Sequence, residues 1–285
     1  MYNAIQIKKN ILAVAFVLTT GAVCSCGGPN DEANALFAQA EQCYAAGDYN
    51  QSNMLLDSLK KNYTDDIDLL KKGLHLRTLN QEGLILAEMA STDSLLSVLE
   101  VENQQLSGDF KYIKHKDMVE GYYIHKTISD KAGDDARCVI EPRIDESDMF
   151  YIVSFLKGQS VDHTHVKIKS RNGEVSTRSV PYDGARNYRY KSGGIAHESI
   201  TFMNAECDTI GCFITNNSTD KHSLVFAGKK QYSVNVDAKM QKAIAETYRY
   251  ATNKKQGKSA IKKKMYLEQK LQLAQKQIEQ TKPTK

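Results

Sequence analysis

The hydrophobic period of this chain changes twice, and that constrains its fold more than any other feature. Over residues 35–107 apolar side chains recur at three- and four-residue steps, with no proline between Pro29 and Pro142. Around Gly108 the period drops to two, and from Asp237 onward it returns to the helical value. The class this spells is α+β: N-terminal helical hairpins over 35–107, an antiparallel β-sandwich or small barrel over 108–236, and C-terminal basic helices over 237–285.

In the middle region the spacing predicts short strands at 121–126, 137–144, 149–156, 164–169, 174–180, 199–203, 209–215, 223–226 and 231–236. Asn172-Gly173 is a two-residue hairpin signal, and Gly133-Asp134, Gly193-Gly194 and Asn216-Asn217 mark further turns. The nearly unbroken apolar run YIVSFL at 151–156 belongs in a central strand buried on both faces. Residues 184–196 read as the longest irregular stretch of this region.

In the helical front, Ala35, Leu36, Ala40, Cys43 and Tyr44 precede a break at Gly47-Asp48-Tyr49, and Met54, Leu55, Leu56, Leu59 and Tyr63 follow it. A second helical run starts after Thr64-Asp65-Asp66, and Ser91-Thr92-Asp93 reads as the start of another. Residues 33–64 resemble one tetratricopeptide repeat. Gly47-Asp48-Tyr49 falls on the inter-helix turn, Ala40 and Ser52 on the small positions of the two helices, and Leu56 on the large one. Gln39, Leu59 and Thr64 depart from that pattern. One repeat cannot build a solenoid groove, so a generic helical hairpin packed on its neighbours stands beside this reading.

The first 25 residues read as an export signal. Lys8 and Lys9 flank the apolar run ILAVAFVL at 11–18, which is too short to span a bilayer. Val23-Cys24-Ser25-Cys26 resembles a bacterial lipobox, with an aliphatic residue at −3 and a small one at −1 of Cys26. The resemblance implies cleavage before Cys26, diacylation of its sulfur, and a membrane partner held through that lipid. Gly27 rather than Asp after the cysteine implies sorting to the outer membrane, periplasmic or surface-facing. Residues 26–34 then form a tether. As a whole the chain resembles an exported lipoprotein of Bacteroidota.

Charge is uneven along the sequence. Residues 239–285 hold 13 Lys/Arg against 3 Glu, whereas residues 26–238 hold 23 against 31 acidic residues. Lys262-Lys263-Lys264, followed by Met265-Tyr266-Leu267, suits either an anionic head group or the acidic front helices of the same chain. The overall net charge of +4 is too small to imply nucleic acid.

Catalytic signatures are sparse. His163-x-His165 is the most suggestive pair, because alternate residues of a strand share a face and two imidazoles could approach one metal; a catalytic zinc then needs a third ligand, for which His125, His197 and Asp162 are available although no spacing ties them in. Gly257-Lys258-Ser259 lacks the earlier glycine of a phosphate loop, and Asp134-Asp135 sits in a turn. Cys207 and Cys212 could bridge across a bend; no spacing of Cys and His suggests zinc, and no cofactor is implied. Tyr182, Arg186, Tyr188, Arg189 and Tyr190 cluster around the long loop, where aromatic and guanidinium groups can stack on a ligand.

These features give a leading expectation of a non-enzymatic, lipid-anchored envelope protein that binds or scaffolds a glycan or protein. Two alternatives are a metal-assisted hydrolase using His163 and His165, and a periplasmic assembly factor docking a partner helix in an apolar groove at Leu36, Ala40 and Tyr44.

Overall fold

The computed structural model describes residues 29–128 and 138–283. The lipobox with Cys26, the turn at Gly133-Asp134 and the acidic pair Asp134-Asp135 lie outside them. The architecture is α+β: N-terminal helices, two antiparallel sheets and a long C-terminal helix. The chain divides into two compact units, one formed by residues up to Gln81 together with Gln277–Lys285, the other by Glu82–Lys276. The division falls within the two longest helices.

The smaller unit is built on α1 (Pro29–Ala45), α2 (Tyr49–Asn62) and the first part of α3 (Ile67–Ser107). The helix begins at Pro29, so the expected tether is helical over its described part, with Asp31 and Glu32 placed favourably in the first turn. Asp48 caps α2 by accepting the Gln51 amide at 3.1 Å. Ala40 and Ser52 are both fully buried, and the Ser52 hydroxyl donates to the Ala40 carbonyl at 2.8 Å, so small residues let the two helices approach. Ala33, Leu56, Leu59, Leu69 and Leu76 complete this core. Thr281 reaches His75 Nδ1 (3.2 Å) and the Thr78 hydroxyl (3.1 Å) within the same unit.

The helix expected to restart at Ser91-Thr92-Asp93 does not; α3 runs through it. The Thr92 hydroxyl donates to the Glu88 carbonyl one turn back at 2.8 Å, so the residue satisfies itself inside the helix instead of capping a new one.

The larger unit holds both sheets. One has six strands in the order β1 (Phe110–Ile113), β2 (Tyr122–His125), β3 (Cys138–Asp145), β4 (Phe150–Lys157), β8 (Ile195–Met203), β7 (Asn187–Ser192). The other has four, in the order β10 (Gln231–Val236), β9 (His222–Ala227), β5 (His165–Ser170), β6 (Gly173–Ser176). Their inner faces share one core: Ile140, Ile152, Leu156, Ile200 and Phe202 from the first, Val166, Ile168, Leu224 and Phe226 from the second. As its apolar run requires, β4 lies inside its sheet between β3 and β8.

Three expectations change here. Residues 209–215 belong to a helix, α4 (Asp208–Asn216), because Ile210, Gly211 and Ile214 bury one helical face although the segment is rich in β-branched residues. Within the stretch read as irregular, residues 187–192 form the edge strand β7. The β5–β6 turn is Arg171-Asn172, since Ser170 pairs with Gly173.

The C-terminal region is one helix, α5 (Ala238–Thr281). Ile244, Tyr250 and Ala251 join the sandwich core. Farther along, Ala260, Leu267 and Ala274 are buried at seven-residue spacing, as are Ile85, Thr92 and Leu99 on α3. Lys263 pairs with Glu88 (2.8 Å) and Lys264 with Asp93 (2.7 Å), so two of the three consecutive lysines meet acidic groups of their own chain.

Candidate functional site

The β7–β8 hairpin carries the best-formed surface feature among the described residues. Its two-residue turn is Gly193-Gly194, with φ +57° and +81°, a backbone that glycine adopts without steric cost. The turn sets Tyr190 opposite His197 and Tyr188 opposite Ser199. Period-two alternation then sends Tyr188 and Tyr190 to one face and Asn187 and Arg189 to the other.

On the outward face the Tyr188 and Tyr190 rings lie 5.6 Å apart, inclined by 35°, and the Tyr190 ring stacks on His197 at 4.5 Å and 8°. Tyr188 is 46% exposed and Tyr190 47%. Three neighbouring rings thus form an open aromatic shelf at the edge of the six-stranded sheet.

The inward side chains tie this strand down. The Asn187 amide donates to the Val180 carbonyl (2.8 Å) and the His163 carbonyl (3.3 Å). Arg189 donates to the same His163 carbonyl at 2.9 Å and pairs with Asp162 at 3.3 Å.

The loop they grip is itself locked by Glu198. The carboxylate accepts the backbone amides of Val161, Asp162 and His163, each at 2.8 Å, and the His163 Nδ1–H at 2.6 Å. Burial alone would raise its pKa, but these hydrogen bonds, led by the His163 ring, hold it at about 2. His163 Nε2 accepts from the Ser154 hydroxyl at 2.9 Å, and its ring meets Phe226 edge to face.

Hydroxyl, imidazole and carboxylate follow one another here in the order of a nucleophilic triad. Ser154 and His163 are nevertheless completely buried in the sandwich, so this arrangement offers no route for a substrate. Its work is to hold the strand edge.

The residues singled out in sequence are therefore divided. Tyr188 and Tyr190 come together. Tyr182 lies instead by the Arg189 guanidinium (5.1 Å), and Arg186 is engaged by the Thr201 carbonyl at 3.0 Å and by Glu206. Both ring nitrogens of His163 already have partners, whereas His165 is half-buried with Nδ1 3.2 Å from the Thr164 hydroxyl. Burial, and next the charge of Lys167, lower the pKa of His165 below the ordinary imidazole value. In the sequence His197 stands only as an available third ligand for a metal at His163 and His165; what sets it against Tyr190 is the Gly193-Gly194 turn, which fixes the register once β7 is read as a strand.

Leu36, Ala40 and Tyr44 do not line an open groove. Ala40 is fully buried, and Leu36 and Tyr44 pack against the hairpin's own core. Cys207 is buried at the start of α4 and Cys212 exposed on it; both thiols are free. Burial pushes the Cys207 thiol far above its ordinary range.

Comparison with protein-family models, with curated proteins and with solved structures finds no match to this chain.

Proposed function

We propose that this protein is a lipid-anchored binding module of the cell envelope that holds a carbohydrate on the shelf formed by Tyr188, Tyr190 and His197. The observation that carries the reading is the pair of half-exposed tyrosine rings, side by side on an edge strand whose other face is clamped by buried hydrogen bonds. The apolar face of a sugar ring packs on aromatic rings, while the surrounding hydroxyls find polar partners. A rigid shelf binds without first being ordered, which favours affinity. The buried state of His163 supports a binding role over hydrolysis at that pair. The membrane attachment through Cys26 rests on the lipobox.

The test is retardation of the purified chain in gels containing envelope polysaccharides, followed by calorimetry with oligosaccharides of the retarding polymer. Each of Tyr188→Ala and Tyr190→Ala is expected to weaken binding by about three- to tenfold, the worth of one aromatic contact. A chain that no polysaccharide retards, or a double variant that binds as well as the parent, overturns the assignment.

A further inference from the structure

A second constellation lies on the same unit but away from the tyrosine shelf. Asp109 immediately precedes β1, His125 closes β2, and Glu246 stands on α5; one donor atom from each lies within 4.8 Å of the others. His125 is 1% exposed, and its ring is set edge to face against Phe110 at 5.3 Å. Its Nε2 is 2.8 Å from Glu246 Oε2, and its Nδ1 is 2.8 Å from the Thr127 hydroxyl. The Thr127 amide also donates to Nδ1, at 3.2 Å, so in the metal-free chain the proton sits on Nε2 and is donated to Glu246.

Asp109 gives the cluster its character. Its carboxylate is half-buried and makes no hydrogen bond or ion pair among the described residues. Two carboxylates thus converge on one imidazole, and of the two only Glu246 has a cation beside it, Lys242 at 3.7 Å. Partly open to solvent and without a partner among the described residues, the Asp109 carboxylate is free to turn toward a cation.

We propose that Asp109, His125 and Glu246 form a binding site for a first-row divalent metal ion. One imidazole nitrogen and two carboxylate oxygens suit Zn²⁺, Mn²⁺ or Co²⁺ better than the thiolate-seeking ions, and three protein ligands leave positions for water or an anion. Binding requires the imidazole to exchange its proton between nitrogens with no net change. Nε2 gives up its proton and presents a lone pair to the metal, while Nδ1 takes one and donates it to the Thr127 hydroxyl. The Thr127 amide loses its contact with Nδ1 in the exchange. An acceptor already in place on the far side of the ring is the outer-sphere partner that metal-bound histidines use. The ion would fasten α5 to the β1–β2 edge.

The test uses Co²⁺ on the full purified chain, stripped with chelator and dialysed. The chain has thiols, and cobalt separates the two possibilities: nitrogen–oxygen ligation gives weak visible bands, whereas thiolate ligation adds an intense near-ultraviolet charge-transfer band. The expected result is one Co²⁺ per chain, visible bands without that charge-transfer feature, and a rise in melting temperature by mass action. Asp109→Asn, which removes no side-chain hydrogen bond or ion pair among the described residues, is expected to keep the melting temperature of the metal-free chain and to lose affinity by about tenfold or more. No binding at roughly 100 µM Co²⁺, a thiolate spectrum, or equal binding by Asp109→Asn overturns the site.

Discussion

Glu198 is a single carboxylate with four donors, three of them consecutive backbone amides. Its folded-state pKa of about 2 lies below the ordinary glutamate value of 4.5. A depressed carboxylate pKa adds stability that is fully present above the unfolded value and lost as pH falls through the folded one. The window is thus from about pH 4.5 down to about 2, and the contribution at neutral pH is on the order of 3 kcal/mol. Melting curves of the wild type and Glu198→Gln should differ most near neutral pH and converge across that window; a difference independent of pH would refute the assignment. Nothing in the sequence around Glu198 marks this role. His163 was noticed for its neighbour His165, but its partners Ser154 and Glu198 come from β4 and β8, brought to it only by the packing of two sheets. A histidine motif read along the chain records spacing, not which face the ring turns to or what already occupies its nitrogens.

At the scale of elements, most strands are legible by their apolar spacing; β1 (FKYI) is not, because four residues are too few to establish a period, and the other exceptions have physical reasons too. β7 (NYRYKS) carries no aliphatic residue, because it is an edge strand whose inward positions, Asn187 and Arg189, bond to a loop rather than to the core. α4 looked like a strand by composition, yet its buried positions fall at helical steps. The clamp on β7 also depends on a close approach between β9 and the loop before β5. A Cβ on Gly228 would stand 2.1 Å from the Asp162 carbonyl oxygen, which is backbone and cannot swing aside. Asp162 itself sits at φ +55°. Gly228→Ala should therefore displace the loop that Asn187 and Arg189 grip, costing about 1–3 kcal/mol. Thermal denaturation reads the cost, and sugar binding by the same variant should weaken although no shelf residue has changed. An unaltered melting temperature would show that the loop yields freely.

On the scale of the whole molecule, the sequence conveyed the order of helical, β and helical regions but not the division into units, because that division cuts through α3 and α5 rather than falling at a change of period. The proposed placement in the cell rests on one atom. With the sulfur of Cys26 diacylated, two acyl chains give stable anchoring, whereas one would not. Cys26→Ser should move the chain from the membrane fraction to the soluble fraction of lysed cells, with the melting temperature of the β-sandwich unit unchanged; retention of the variant in membranes would point to attachment by another part of the chain.

The smaller unit is discontinuous: residues through Gln81 are completed by Gln277–Lys285, with Thr281 bonding to His75 and Thr78. A chain made from its N-terminus cannot finish this unit until residues 277–281 have been synthesised. The intervening 82–276 can collapse earlier, since every residue it needs has already emerged. Completion of the helical unit is thus a late event in synthesis, gated by the arrival of the segment that carries Thr281.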